Sequence, residues 1–220
     1  MRQERSPDVT RRAVTKPRRR VPSRYHHGDL RRALLDAALI VIEEKGLDAV
    51  KMSDLARTLR VSVAAPFRHF ESRDALLVAL AEEGANKMVV DIEAAAARVR
   101  DPLEAQRARG VAYVRFAVLE PGYFKLLSKK DILVASDHLR ALATSQEALM
   151  EPILGRHHRG RASAALAKKS AGLLAAQALT YGLARMIADG LLGDIDGDDA
   201  ALLAVELTGV LGEGLLPRDA

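Results

Sequence analysis

The sequence predicts an all-α protein of about nine helices, with a small N-terminal helix-turn-helix domain followed by a larger helical domain. Three observations predict it. Apolar residues recur at three- and four-residue spacing from Leu30 onward. No stretch combines period-two alternation with β-branched enrichment. Proline and glycine break the periodic segments at Asp101-Pro102, Glu120-Pro121, Gly155, Gly190 and Gly193 to Gly197.

Residues 1–24 hold nine Arg/Lys and three Pro, with almost nothing that could pack a core, and read as a disordered basic arm. The first helix follows, with Leu30, Leu34, Ala37, Ala38, Val41 and Ile42 on one face. Asp29 is its N-cap and Gly46 its stop. Short helices are expected near Met52–Leu59 and Val63–Phe70, and a long one from about Arg73 to Arg98. Further helices are expected near Pro102–Leu119, Pro121–Ser128, Ser136–Leu154, Ala162–Ala188 and Asp199–Leu215. The domains are therefore the arm at 1–24, the helix-turn-helix part at 25–77 and the larger helical part at 78–220.

Charge is unevenly placed. Residues 1–78 carry 17 Lys/Arg against 10 Asp/Glu, whereas the other 142 carry 17 against 19. A basic first third joined to a near-neutral remainder suggests that only the first third meets a polyanion. Cysteine is absent, which removes disulfides, thiolate metal sites and cysteine nucleophiles and fits a reducing cytoplasm. No apolar run approaches the roughly 18–20 residues needed to span a bilayer. A cytoplasmic, nucleoid-associated protein without a membrane partner is expected.

The segment from Ser53 to Phe70 carries the functional signal. Two short helices crossing steeply need small and apolar residues where they touch, and Leu55, Ala56, Leu59, Val61 and Phe67 suit that contact. Ser62 can cap the second helix by accepting a backbone N–H near Ala65. Pro66 falls in the first turn, where a missing N–H costs little. Val63, Ala64, Ala65 and Arg68 then face outward. Arginine can donate two hydrogen bonds to guanine, while Ala or Val methyls can touch a thymine methyl. Free N–H groups at Ser62 to Ala64 favour a phosphate, and Arg73 is placed to hold another.

These residues resemble the DNA-binding domain of TetR-type bacterial regulators. The family pattern of Ile-Ala, Gly-Val-Ser, Tyr-x-His-Phe and Lys-Glu-x-Leu appears here as Leu55-Ala56, Arg60-Val61-Ser62, Phe67-Arg68-His69-Phe70 and Arg73-Asp74-Ala75-Leu76. Tyr25-His26-His27-Gly28-Asp29-Leu30-Arg31 resembles the lead-in of one subgroup, whose late Trp-x-x-x-His-Gly motif is degenerate here, with Gln177, Tyr181 and Gly182. The resemblance implies DNA contacts by Lys51, Ser53, Ser62, Val63, Ala64, Ala65, Phe67, Arg68, His69 and Arg73. There are departures. Arg60 stands at the turn glycine, so it either takes a positive φ at a cost or adopts another turn. Lys51-Met52 replaces the usual cap, leaving Ser53 as a substitute. Phe67 lacks the family tyrosine's hydroxyl.

The resemblance also implies a dimer and an effector pocket in residues 78–220. Small residues (Ala171, Gly172, Ala175, Ala178, Gly182, Ala188) line one late helix, and Leu202, Leu203, Val205, Leu207, Val210 and Leu211 the last. Such helices can form a four-helix bundle between two subunits or the core of one, and a two-fold DNA reader favours the dimer. Tyr113, Phe116, Tyr123, Phe124, Met150, Gln177, Tyr181 and Met186 are the candidate pocket residues. The paired His157-His158 sits among arginines that disfavour a cation, so no metal and no cofactor are expected. No Glu-x-x-His pair, nucleotide-binding glycine loop or Ser/His/Asp order points to an enzyme. The expected function is a dimeric repressor released from a palindromic operator by a small molecule. The alternative is a non-specific DNA-compacting protein relying on the arginine-rich arm.

Overall fold

A computed structural model of the chain describes residues 29–154 and 170–215. These form nine α-helices and two short 3-10 turns, with no strand among the described residues. The arm, the lead-in before Asp29, the His157-His158 loop and the first turns expected from Ala162 lie outside them.

Helix α1 (Leu30–Lys45) begins and ends where its sequence directs. The Asp29 carboxylate accepts the Arg32 N–H at 2.9 Å, and Gly46 stops the helix at φ 84°. Its inward face of Leu34, Leu35, Ala38, Leu39 and Ile42 is buried. Each leucine removed from water there contributes about 1.5–3 kcal/mol. Helices α2 (Met52–Thr58) and α3 (Arg73–Ala96) complete this first core through Leu55, Leu76 and Leu80. Phe70 joins it and is covered by the Arg31 guanidinium, 5.2 Å from the ring centre. Ser72 caps α3 by accepting the Ala75 N–H at 3.1 Å.

The position 77/78, where a domain boundary is expected, falls inside α3, which runs unbroken over 24 residues. Phe116, Tyr123, Leu126 and Leu139 belong to the same apolar cluster as α1 to α3. The helix-turn-helix part and the larger part therefore share both a helix and a core.

Helix α4 (Pro102–Leu119) is central, packed by α3, α8 (Ala171–Ala188) and α9 (Gly197–Leu215). Between them lie Val114, Ala117, Leu183, Ala184, Ile187, Ala200 and Ala204, a second core completed by Phe124. Phe124 belongs to α5 (Pro121–Leu127). A helix not anticipated from sequence, α6 (Lys130–Ala135), precedes α7 (Asp137–Leu154). Between the two, the Ser136 hydroxyl accepts the Leu139 N–H at 3.2 Å and donates to Glu82 at 2.7 Å.

One expectation needs correcting. Among the described residues Ala171–Ala188 is long and apolar enough to cross a membrane. A search for unbroken apolar runs misses it because Gln177, Thr180 and Arg185 interrupt the run. Helix α8 packs against α4, α7 and α9, but only 28% of it is buried within the chain.

Candidate nucleic-acid interface and adjoining cavity

Helix α2 ends in a paired-carbonyl stop. The Val61 N–H donates to Ala56 O at 3.0 Å and the Arg60 N–H to Arg57 O at 3.1 Å. That stop places Arg60 at φ 57°, the one non-glycine residue with positive φ among the described residues. Of the two options open to the turn, the chain takes the left-handed one. Such a conformation costs an L-residue about 1–2 kcal/mol, partly offset by the roughly 0.4–1 kcal/mol a glycine loses in the freer unfolded chain. Arg60→Gly is therefore expected to stabilise the protein by about 0.5–1 kcal/mol in urea unfolding. A loss of stability would show that the Arg60 side chain compensates in place.

Residues 62–70 do not form the α-helix expected over Val63–Phe70. They turn in tighter steps, with Ala65 N–H donating to Ser62 O at 2.9 Å, Arg68 N–H to Ala65 O at 3.2 Å and His69 N–H to Pro66 O at 3.0 Å. Pro66 gives the physical reason. It has no N–H to return to the Ser62 carbonyl, which the Ala65 N–H takes one residue early. The Ser62 carbonyl, not its hydroxyl, therefore accepts from Ala65. Ser53 is not a cap either, since α2 starts at Met52 with Lys51 in the cap position and no side-chain cap bond.

The segment nevertheless separates inside from outside cleanly. Pro66 and Phe70 are buried, whereas Val63 is 61% and Phe67 51% exposed. Lys51, Ser53, Ser62, Ala64, Arg68 and His69 are exposed as well, and Ala65 is half-buried. Phe67 thus sits on the outer surface and not in the helix contact expected of it. Arg73 is half-buried and occupied: its Nε donates to Val50 O at 3.0 Å and a terminal nitrogen to Leu47 O at 2.7 Å. It clamps the 47–50 loop to the start of α3, so a phosphate would have to share donors already engaged.

In the larger part lies a partly open cavity of about 470 Å³ lined by α3, α4, α6, α7, α8 and α9, with Phe124 and Leu127 of α5 in its wall. Of the candidate pocket residues, Tyr113, Phe124, Met150, Gln177 and Tyr181 line it. Phe124 sits 6.2 Å from each of the Tyr113 and Tyr181 rings. Burial pushes the Tyr113 phenol above its ordinary pKa, so it stays a neutral hydroxyl. Three candidates lie elsewhere: Phe116 and Tyr123 are buried in the first core, and Met186 is exposed on α8. Sequence reasoning missed Gln106, Arg107 and Arg109, all in the wall. The spacing of Gln106, Gly110 and Tyr113 on one face of α4 was the available signal. The Arg109 guanidinium donates to Glu93 at 2.9 Å and holds that carboxyl below its ordinary pKa.

Helix α5 touches both the cavity and helix α1. Lys125 Nζ donates to the Ile42 and Glu43 carbonyls at 3.3 and 3.1 Å, at the negative end of α1. The Tyr123 hydroxyl bonds Glu83, which also pairs with Arg32 of α1.

Residues 34–80 match the family model of bacterial regulatory proteins of the tetR family. The transcriptional regulator BetI of Rhizobium meliloti (strain 1021) is 42% identical over 74 residues, covering 34% of this chain and 36% of the relative. The chain thus spans about a third of that relative's length. A Rhodococcus sp. RHA1 structure of unknown function is 28% identical, with TM-score 0.64 over 89% of this chain and all of that one. The TetR-family regulator PfmR of Thermus thermophilus shares the fold, with 24% identity and TM-score 0.60 over 84% of this chain and 99% of that one.

Proposed function

We propose that this chain, whose residues 34–80 match the family model of bacterial regulatory proteins of the tetR family, is a dimeric transcriptional repressor, released from a palindromic operator by a small molecule. The observation that carries the reading is the exposed set of Val63, Ala64, Phe67 and Arg68 on a fully packed frame. Arg68 pairs with no carboxylate among the described residues, in contrast to Arg57 and Arg73. An exposed guanidinium without a carboxylate partner among the described residues, beside small apolar side chains, suits a base edge and a thymine methyl.

Lys51, Ser53 and Ser62 are the proposed phosphate contacts around it, and His69 flanks them. Two reading heads held by a two-fold axis would meet half-sites about one helical turn apart. The effector acts through α5, whose Phe124 and Leu127 touch the cavity while Lys125 and Tyr123 engage α1 and its partner Glu83. A ligand that displaces Phe124 or Leu127 moves α5 and changes the pose of α1. No chemistry beyond binding is assigned, and the site of action is the cytoplasmic DNA.

Selection of bound fragments from random DNA tests the reading, with the full chain and a chain lacking residues 1–24. A palindrome recovered from both supports it, whereas no enriched sequence would sink it. Binding that disappears with the arm would favour the DNA-compacting alternative. Arg68→Ala is expected to relax the selected motif at one base of each half-site and cost about 1–3 kcal/mol of binding. An unchanged motif would move the reading face elsewhere.

A further inference from the structure

The cavity contains an unsatisfied polar group that identifies the chemistry of its occupant. Gln106 of α4 is only 8% exposed, and both its Oε1 and its Nε2 are buried without a hydrogen-bond partner. An amide left unpaired inside a fold is costly, and nearly all buried polar groups avoid it. Here the amide lies in the wall of a mostly apolar cavity that includes Met88, Ile92, Leu103 and Leu142.

The charged groups of the same wall are already matched. Arg109 pairs with Glu93 at 2.9 Å and Arg107 with Glu104 at 2.7 Å, and Glu147 is engaged too. No cation there waits for an anion. Arg107 retains one buried, unpartnered Nε–H, a further donor whose charge Glu104 already meets.

We propose that the cavity takes an uncharged, largely apolar molecule bearing a carboxamide, lactam or imide edge, which donates to Gln106 Oε1 and accepts from Gln106 Nε2. The inference rests on the reading of this cavity as the effector site. A carboxylate accepts only, and would set a negative oxygen against Oε1. A ketone satisfies Nε2 alone. A hydroxyl offers one atom where the glutamine presents two. The edge that matches both glutamine atoms is an adjacent donor and acceptor on the ligand.

The test is calorimetric titration of the full chain with three molecules of one shape, decanamide, decanoate and 2-undecanone, repeated on Gln106→Leu. Decanamide is expected to bind about tenfold more tightly than either analogue, the value of one to two buried hydrogen bonds. In Gln106→Leu the preference should fall to within about twofold. The variant should also melt higher than wild type without ligand, because it no longer buries an unpaired amide; this doubles as the folding control. Equal binding of decanoate or 2-undecanone overturns the proposal. So does a preference that survives in Gln106→Leu, or no binding by any of the three. Operator release, measured in parallel, separates the two readings. Decanamide that binds without releasing DNA leaves the ligand class standing and removes the effector role. Release by a compound indifferent to Gln106 does the reverse.

Discussion

Leu202→Glu combined with Val205→Glu is expected to leave a monomer that binds the selected operator at least about a hundredfold more weakly than wild type, the loss that follows from breaking a bivalent contact. Both residues lie on α9 and are strongly exposed, Leu202 at 65% and Val205 at 56%. They share that surface with Gly209, where a Cβ would meet open space, and α8 adds an equally open Gly182. Apolar side chains flanked by small residues let a second pair of helices approach closely, and α8 and α9 already pack together as half of such a bundle. Two glutamates there would have to be desolvated on association. Because both positions are exposed within one chain, the monomer should keep its helix content by circular dichroism. Sedimentation equilibrium gives the mass and fluorescence anisotropy the operator affinity. A variant that still sediments as a dimer would place the interface on another face.

Gly84→Ala should destabilise the protein by about 1–3 kcal/mol, as overpacking of a tight contact does, and should loosen the response of DNA binding to any effector. A Cβ at Gly84 would lie 2.8 Å from the Tyr123 Cβ and 2.6 Å from its ring. The nearer of these contacts involves a ring with few alternatives, and the other sits next to the α5 backbone, so α5 itself has to move. That movement pulls the Tyr123 hydroxyl from Glu83 and strains the Lys125 bonds to the end of α1. Tyr123→Phe removes only the hydroxyl and separates the two consequences: it should retain most of the stability while weakening the link between cavity and reading head. Urea unfolding and effector titration of bound DNA report each. If Gly84→Ala melts like wild type and responds normally, α5 is not the coupling element.

Much of the reading head was legible before the tertiary structure. Asp29, Gly46 and the Leu34/Ala38/Ile42 face are local features, and local hydrogen bonds and spacing settle them. Of the residues expected at the helix contact, Leu55, Ala56 and Leu59 are buried, whereas Phe67 is exposed. Arg60 met one of the two fates open to it, since a helix stop with two paired carbonyls demands a positive φ whatever residue is present. Two features around it were not legible. Pro66 was tolerable in an α-helical first turn by its position, yet its missing N–H let the segment settle into tighter steps. Arg73 carries the charge expected of a phosphate contact, but carbonyls from a loop 23 and 26 residues earlier engage it.

The sequence by itself determined an all-α chain and its main helices, because a 3.6-residue period, caps and breakers act within a few residues of one another. The tertiary structure alone decided which residues of those helices share a cavity. Helix α4 shows why. Surrounded by α3, α8 and α9, it sends Phe116 into the first core, Val114 and Ala117 into the second, and Gln106 and Tyr113 to the cavity. Periodicity identifies the faces of such a helix, but on one packed by three others, what each face meets is set by neighbours distant in sequence.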